Sequence, residues 1–194
     1  MIQLSGVSET LLISLYSRYL EDRRDDAIIK DAKAVEIVER LDYDFTRFKG
    51  IGTVQLATAV RTEILDRATR AFLQAHPRAV VVNLGAGLCT RFFRLDDGRV
   101  RWFELDLPQV ETVWRQVFEE SERHKFLAYS FLDFNWVREF DELRGEDFLF
   151  ILEGVSMYQS EARPRSVTLT VASTVACSSS CRRSRSFSLS TGSK

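Results

Sequence analysis

Two glycines and one acid stand where a nucleoside could be held. The run from Ala79 to Leu84 is apolar apart from Asn83 and breaks into Gly85 and Gly87. That pattern predicts a buried parallel strand entering a tight turn, because glycine alone lets the backbone bend sharply and lie against a ligand. The next apolar run, Val100 to Asp106, carries Glu104 near its end. Both ribose hydroxyls are donors, so a carboxylate at a strand end can accept from the pair and hold the sugar across the sheet edge. Asp106 ranks second for this role, since Pro108 opens the following helix and Asp106 could simply cap it.

What the loop lacks narrows the nucleoside. Dinucleotide folds use a third glycine for close helix packing beneath a pyrophosphate, and that position is Thr90. A cofactor without phosphate asks less of the loop, so S-adenosylmethionine fits these residues better than NAD does. Two further acids fall at the ends of apolar runs. Asp133 follows the run from Lys125 to Phe131 and could accept from the adenine amino group, with Phe134 against the ring. Its bland alternative is the N-cap of a helix over 136–143, and the two roles can coexist. Glu153 closes the run Phe148 to Leu152 over the same edge.

The elements that must position these residues are legible as periodicities. Leu11, Leu12, Leu15, Tyr16, Tyr19 and Leu20 recur at i, i+3, i+4, which predicts an amphipathic helix over 8–21. A second helix is expected from an Asp31 cap through Leu41, and a third over 54–74, with Ala57, Val60, Ile64, Leu65, Ala68 and Phe72 inward and Pro77 closing it. Thereafter strands (79–84, 100–105, 126–131, 147–152) alternate with helices (89–94, 108–120, 136–143). That alternation predicts right-handed crossovers and a parallel α/β sheet.

Composition bounds the remaining classes. A chain of 194 residues, 45% apolar, can bury one sizeable core. No apolar run approaches the length of a membrane span, and the N-terminus has no signal-peptide pattern, so a cytoplasmic protein with no membrane partner is expected. Cys89, Cys177 and Cys181 form no paired motif and His76 and His124 no ligand spacing, so no metal site is expected. Both histidines read as solvated turn residues. Charge divides unevenly: residues 1–162 hold 28 acids and 21 bases, whereas 163–194 hold six bases, no acid and ten serines.

In six stretches the chain resembles the leucine carboxyl methyltransferase superfamily, including bacterial O-methyltransferases of the polyketide type. They are Asp31 to Ile37, Ala59 to Asp66, Val82 to Arg91, Phe103 to Pro108, Leu132-Asp133, and Ile151 to Tyr158. The resemblance covers about residues 8–162. It implies a class I methyltransferase, Rossmann-like fold with added N-terminal helices, S-adenosyl-L-methionine as cofactor, and methylation of a carboxylate or hydroxyl on a small molecule or peptide terminus. It also implies that Arg61 binds the cofactor carboxylate, that Gly85 and Gly87 cradle its methionine portion, and that Glu104 binds ribose. Asp133 is implied at adenine and Glu153 near the cofactor amino group. Cys89 replaces the aspartate usual in the family. A carboxylate acceptor, already ionised, would need no general base. A hydroxyl acceptor would, and Tyr158 and Glu153 are the weak candidates.

On this reading residues 1–162 form an incomplete S-adenosylmethionine-binding domain, with 1–76 as its helical entry. Residues 163–194 read as an aberrant, frame-shifted or disordered tail in which Val167 to Val171 alternates like a strand. Its Arg cluster matches no recognition motif, so nucleic acid is not expected as a partner. Two other classes remain open: a cofactor-binding remnant without turnover, and an NAD(P)-binding oxidoreductase domain.

Overall fold

The computed structural model describes residues 9–154 and two short strands, β1 (Ile2–Gln3) and β7 (Ser173–Thr174). Helices α1 (Glu9–Asp22), α2 (Ala32–Arg40) and α3 (Gly52–Ala75) come first, with β2 (Leu41–Asp42) beside β1. Asp31 caps α2 as its sequence position suggests, accepting from the Ala34 N–H at 3.0 Å. Then β3 (Val80–Leu84), α4 (Arg91–Leu95), β4 (Arg101–Asp106), α5 (Pro108–Val117), β5 (His124–Ala128), a 3-10 segment (Phe134–Leu143) and β6 (Phe148–Leu152) alternate along the chain. The order across the sheet is β5-β4-β3-β6-β7. The first four strands are mutually parallel and β7 lies antiparallel to β6.

Register follows from burial. Asn83 pairs with Glu104 and with Ile151, so the carboxyl ends of β4, β3 and β6 finish level. Val80, Val81 and Val82 are fully buried, as a central parallel strand covered on both sides requires. On one face Val81, Trp102, Leu149 and Ile151 pack with Phe72, Leu73 and Phe92 from α3 and α4. On the other, Val80, Val82 and Leu105 meet Trp136 and Phe140 of the 3-10 segment. A third cluster joins Leu12, Leu15, Ile37 and Val38 of the entry helices to Trp114 and Phe126. Trp102 and Trp114 are both fully buried, and truncating either to Ala would cost about 3–5 kcal/mol.

Three expectations change. Helix α3 presents Thr58, Thr62, Leu65, Asp66, Thr69 and Phe72 inward, while Val60 and Ile64 are 42% and 47% exposed. Leu65 and Phe72 are buried as expected and Ala68 is half-buried, but Ala57, Val60 and Ile64 turn outward, because Thr62, Asp66 and Thr69 share the buried stripe, where ion pairs await Asp66. Strand β5 begins at His124 rather than 126 and ends at Ala128. His124 is accordingly no solvated turn residue: it is 1% exposed, stacked on Phe92 at 4.1 Å between centroids and edged by Trp114. His76 is half-buried and its Nδ1 lies 2.9 Å from Asp147 Oδ2. Tyr158, and 167–171 with the rest of the tail other than β7, lie outside the described residues.

Candidate functional site

The level carboxyl ends of β4, β3 and β6 open on one cavity of about 420 Å³. Its floor is the loop after β3. Gly85 and Gly87 both have positive φ, 67° and 54°, which side chains rarely adopt. A Cβ on Gly87 would also stand 2.7 Å from Leu11 Cδ2, so the glycine lets α1 close down over the loop. The Gly85 and Ala86 N–H groups donate to Leu105 O at 2.8 and 3.2 Å, which ties the bend to the neighbouring strand.

The acid that faces the cavity from β4 is Asp106, not Glu104. Period-two alternation puts Trp102, Glu104 and Asp106 on one face, with Asp106 at the rim and Glu104 two residues inside. Glu104 is fully buried: Oε2 accepts from Asn83 Nδ2 at 2.7 Å, and Oε1 lies 3.3 Å from His124 Nε2. It is a core group and does not line the cavity. Asp106 Oδ2 accepts from the Gly87 N–H and Oδ1 from the Leu107 N–H, each at 2.7 Å. Burial is the main influence on Asp106 and pushes its carboxyl above the usual range, against those two N–H bonds. Each oxygen retains lone-pair capacity for an outside donor.

Glu153 and Arg61 meet on the opposite wall, Arg61 Nε donating to Glu153 Oε1 at 2.7 Å. Arg91 Nη2 donates to Glu153 Oε2 at 2.6 Å. Burial alone would raise the Glu153 carboxyl, but Arg91 and Arg61 outweigh it and hold it down to about 2. Bonds from two arginines and a lowered carboxyl suit Glu153 poorly to the general-base role. Cys89 lines the cavity as well, its Sγ accepting from Arg91 Nη1 at 3.8 Å, and burial pushes the thiol up.

The β5 end contributes Tyr129, Ser130, Phe131 and Leu132 to the wall. Asp133 and Phe134 stand apart from it. Asp133 Oδ1 accepts from the backbone and side-chain N–H groups of Asn135, capping the 3-10 segment, and Phe134 is 74% exposed. The sequence reading also missed Arg18, whose long side chain reaches the cavity from α1 and donates to Leu88 O at 2.9 Å. Its helical spacing gave no signal, because an arginine on an amphipathic helix usually reads as a solvated charge.

A parallel sheet whose strand ends hold a glycine bend, with an acid one strand away, is the architecture of a Rossmann-like fold. The chain belongs to the leucine carboxyl methyltransferase family, whose model matches residues 11–172. It is 33% identical over 162 residues to the tetracenomycin polyketide synthesis O-methyltransferase TcmP of Streptomyces glaucescens, covering 83% of this chain and 59% of that protein. It is 26% identical over 172 residues to the S-adenosyl-L-methionine-dependent methyltransferase dpfgK of Gibberella zeae, covering 81% and 57%. The chain thus spans under two thirds of the length of these relatives. Among the described residues no helix is long and apolar enough to cross a membrane, and no cluster of His, Cys, Asp and Glu could hold a metal ion.

Proposed function

We propose that the chain binds S-adenosylmethionine in this cavity and serves transfer of its methyl group to an oxygen acceptor on a small molecule. The observation that carries the reading is the convergence of Asp106, the Gly85–Gly87 bend and the Arg61–Glu153 pair at three neighbouring strand ends. Asp106 takes the ribose hydroxyls, the role expected of Glu104, because it alone of the two reaches the rim. The glycine bend accommodates the methionine portion. Arg61 offers its remaining N–H groups to the cofactor carboxylate. Glu153 sets a fixed negative charge beside the cofactor ammonium. Phe131 and Leu132 supply an apolar wall for adenine in place of Asp133 and Phe134.

When bound, the cofactor supplies an electrophilic methyl on a sulfonium. The chain's own contribution is to hold and align, since in-line displacement gains chiefly from proximity and orientation. Among the described cavity residues the acid beside the cofactor's methionine end, Glu153, is poorly suited to act as a base, which favours an acceptor already ionised near neutrality, a carboxylate. The O-methyltransferase name of the Streptomyces relative supports oxygen as the acceptor atom.

Calorimetry with S-adenosylmethionine, S-adenosylhomocysteine and NAD tests the reading. Saturable binding of the two sulfur nucleosides without NAD supports it. Binding of NAD instead, or of none, defeats it. Label transfer from methyl-labelled cofactor to a panel of aromatic carboxylic acids and phenols then separates acceptor classes.

A further inference from the structure

Helix α3 turns an apolar strip away from the sheet. Leu56, Val60 and Ile64 recur every fourth residue and all lie exposed, although each would be more stable out of water. Rotation of the helix cannot bury them. It is pinned by Asp66, which accepts from Arg91 and Arg94 at 2.7 and 2.6 Å, and by Arg61, which reaches Glu153 at 2.7 Å. The strip is therefore a standing feature of the surface, and apolar exposure that is contiguous rather than scattered is what marks an interaction site.

The strip lines a groove. Leu56, Ala57, Val60, Ile64 and Leu65 border a space of about 430 Å³, within the range of about 300–1,000 Å³ found for small-molecule sites. The described lining carries no acid, and its one charge is Arg61, which also lines the cavity at the strand ends. Ala57, Ile64 and Leu65 stand one helical turn from Arg61, at i−4, i+3 and i+4, so groove and cavity adjoin at this residue. Such a groove suits an apolar body whose polar end lies toward Arg61. Sugars and nucleotides, which need polar partners along their length, find few there.

We propose that this groove seats the methyl acceptor: an apolar carboxylic acid lies along α3, with its carboxylate passing Arg61 into the cavity. The inference rests on the S-adenosylmethionine reading and adds to it a second subsite, with Val60 and Ile64 as its specificity-determining residues. Transfer joins a carboxylate oxygen to the methyl carbon while the carbon–sulfur bonding pair stays on sulfur, so a methyl ester forms and no proton moves.

The probes are 2-naphthoic acid and decanoic acid, each titrated calorimetrically into the full chain saturated with S-adenosylhomocysteine. Wild type should bind at least one of them, and with methyl-labelled S-adenosylmethionine in place of the product that acid should gain a base-labile label. Ile64→Asp sets a like charge in the groove, and Val60→Gln replaces an apolar wall at an exposed position where the fold is not at stake. Each should weaken the probe tenfold or more and leave S-adenosylhomocysteine within twofold. Wild type that binds neither acid, or binds one without labelling it, overturns the proposal. So does a probe held equally by wild type and both variants, or a loss that S-adenosylhomocysteine shares. A wild type that sediments as a dimer beside a monomeric Ile64→Asp chain would give the groove to a second copy and overturn it as well. Failure of wild type to bind S-adenosylhomocysteine is the separate result that ends the cofactor reading, and the acceptor seat with it.

Discussion

Asn83 donates its side-chain N–H to Glu104 at 2.7 Å, and this bond turns the acid of β4 into the core while Asp106 takes the rim. Two carboxylates two residues apart on one strand are thus set apart, one in the core and one lining the cavity. Exchanging them experimentally separates stability from binding.

Glu104→Leu should lower stability by about 3 kcal/mol, because it strands the buried Asn83 amide and His124 ring. Chemical denaturation measures this. Asp106→Ala should instead abolish detectable nucleoside binding while costing about 1 kcal/mol of stability for its two backbone contacts. If Glu104→Leu lost binding at unchanged stability, the assignment of duties would be inverted.

Asp106 gives nucleoside affinity a pH dependence. Burial raises its carboxyl above the ordinary aspartate range, and only the ionised form accepts from both ribose hydroxyls. Affinity should therefore rise with pH through that elevated value and level off above it. Asp106→Asn should flatten the profile. A wild-type profile already flat across the acid range would show that the ribose does not bear on this carboxylate.

Glu153 links pH to stability in the same direction, through a carboxyl that is lowered rather than raised. Its folded-state carboxyl lies at about 2, below the unfolded value, so its contribution is fully present above the usual glutamate range and is lost as pH falls toward 2. The size is on the order of 3 kcal/mol. Comparing wild type with Glu153→Gln by urea denaturation at neutral and acid pH should show the gap between them closing as pH falls; a constant gap would contradict the pairing.

Arg91 is 1% exposed and lies between two carboxylates. Arg91→Met leaves Asp66 and Glu153 each short of a partner, and should destabilise by about 3–5 kcal/mol. Gly87→Ala is milder: the positive φ costs about 1–2 kcal/mol and Leu11 must shift, so thermal melting should drop and nucleoside affinity with it.

The sheet was readable because its signal is local. Val80 to Val82 give a buried strand, Gly85 and Gly87 a bend, and Pro108 a helix start, each by its own covalent character. Face selection was less legible. Both Glu104 and Asp106 satisfy the rule for an acid at a strand end, and only the register against Asn83 decides between them. On α3 the apolar residues Val60 and Ile64 formed the more obvious stripe, yet Thr62 and Asp66 turn inward because Arg91 and Arg94, some 25 to 28 residues further along the chain, are waiting there. Asp133 fitted two compatible roles in the sequence; it caps through Asn135 and does not line the cavity. Arg18 gave no sign of itself, since its meaning depends wholly on where Leu88 and Asp31 come to lie.

An alternating series of charges from Arg18 to Arg61 fastens the front of the chain to its middle. Arg18, Asp31, Arg61 and Asp66 precede the first strand of the main sheet, whereas Arg91, Arg94 and Glu153 follow it. Of the six contacts Arg18–Asp31, Asp31–Arg94, Arg94–Asp66, Asp66–Arg91, Arg91–Glu153 and Glu153–Arg61, four join residues on opposite sides of residue 76, all but the first and Arg91–Glu153. The opening helices are thus part of one cooperative block with the nucleoside fold, and amide hydrogens in α1 and α3 should exchange in step with those of β3, at a shared rate of opening.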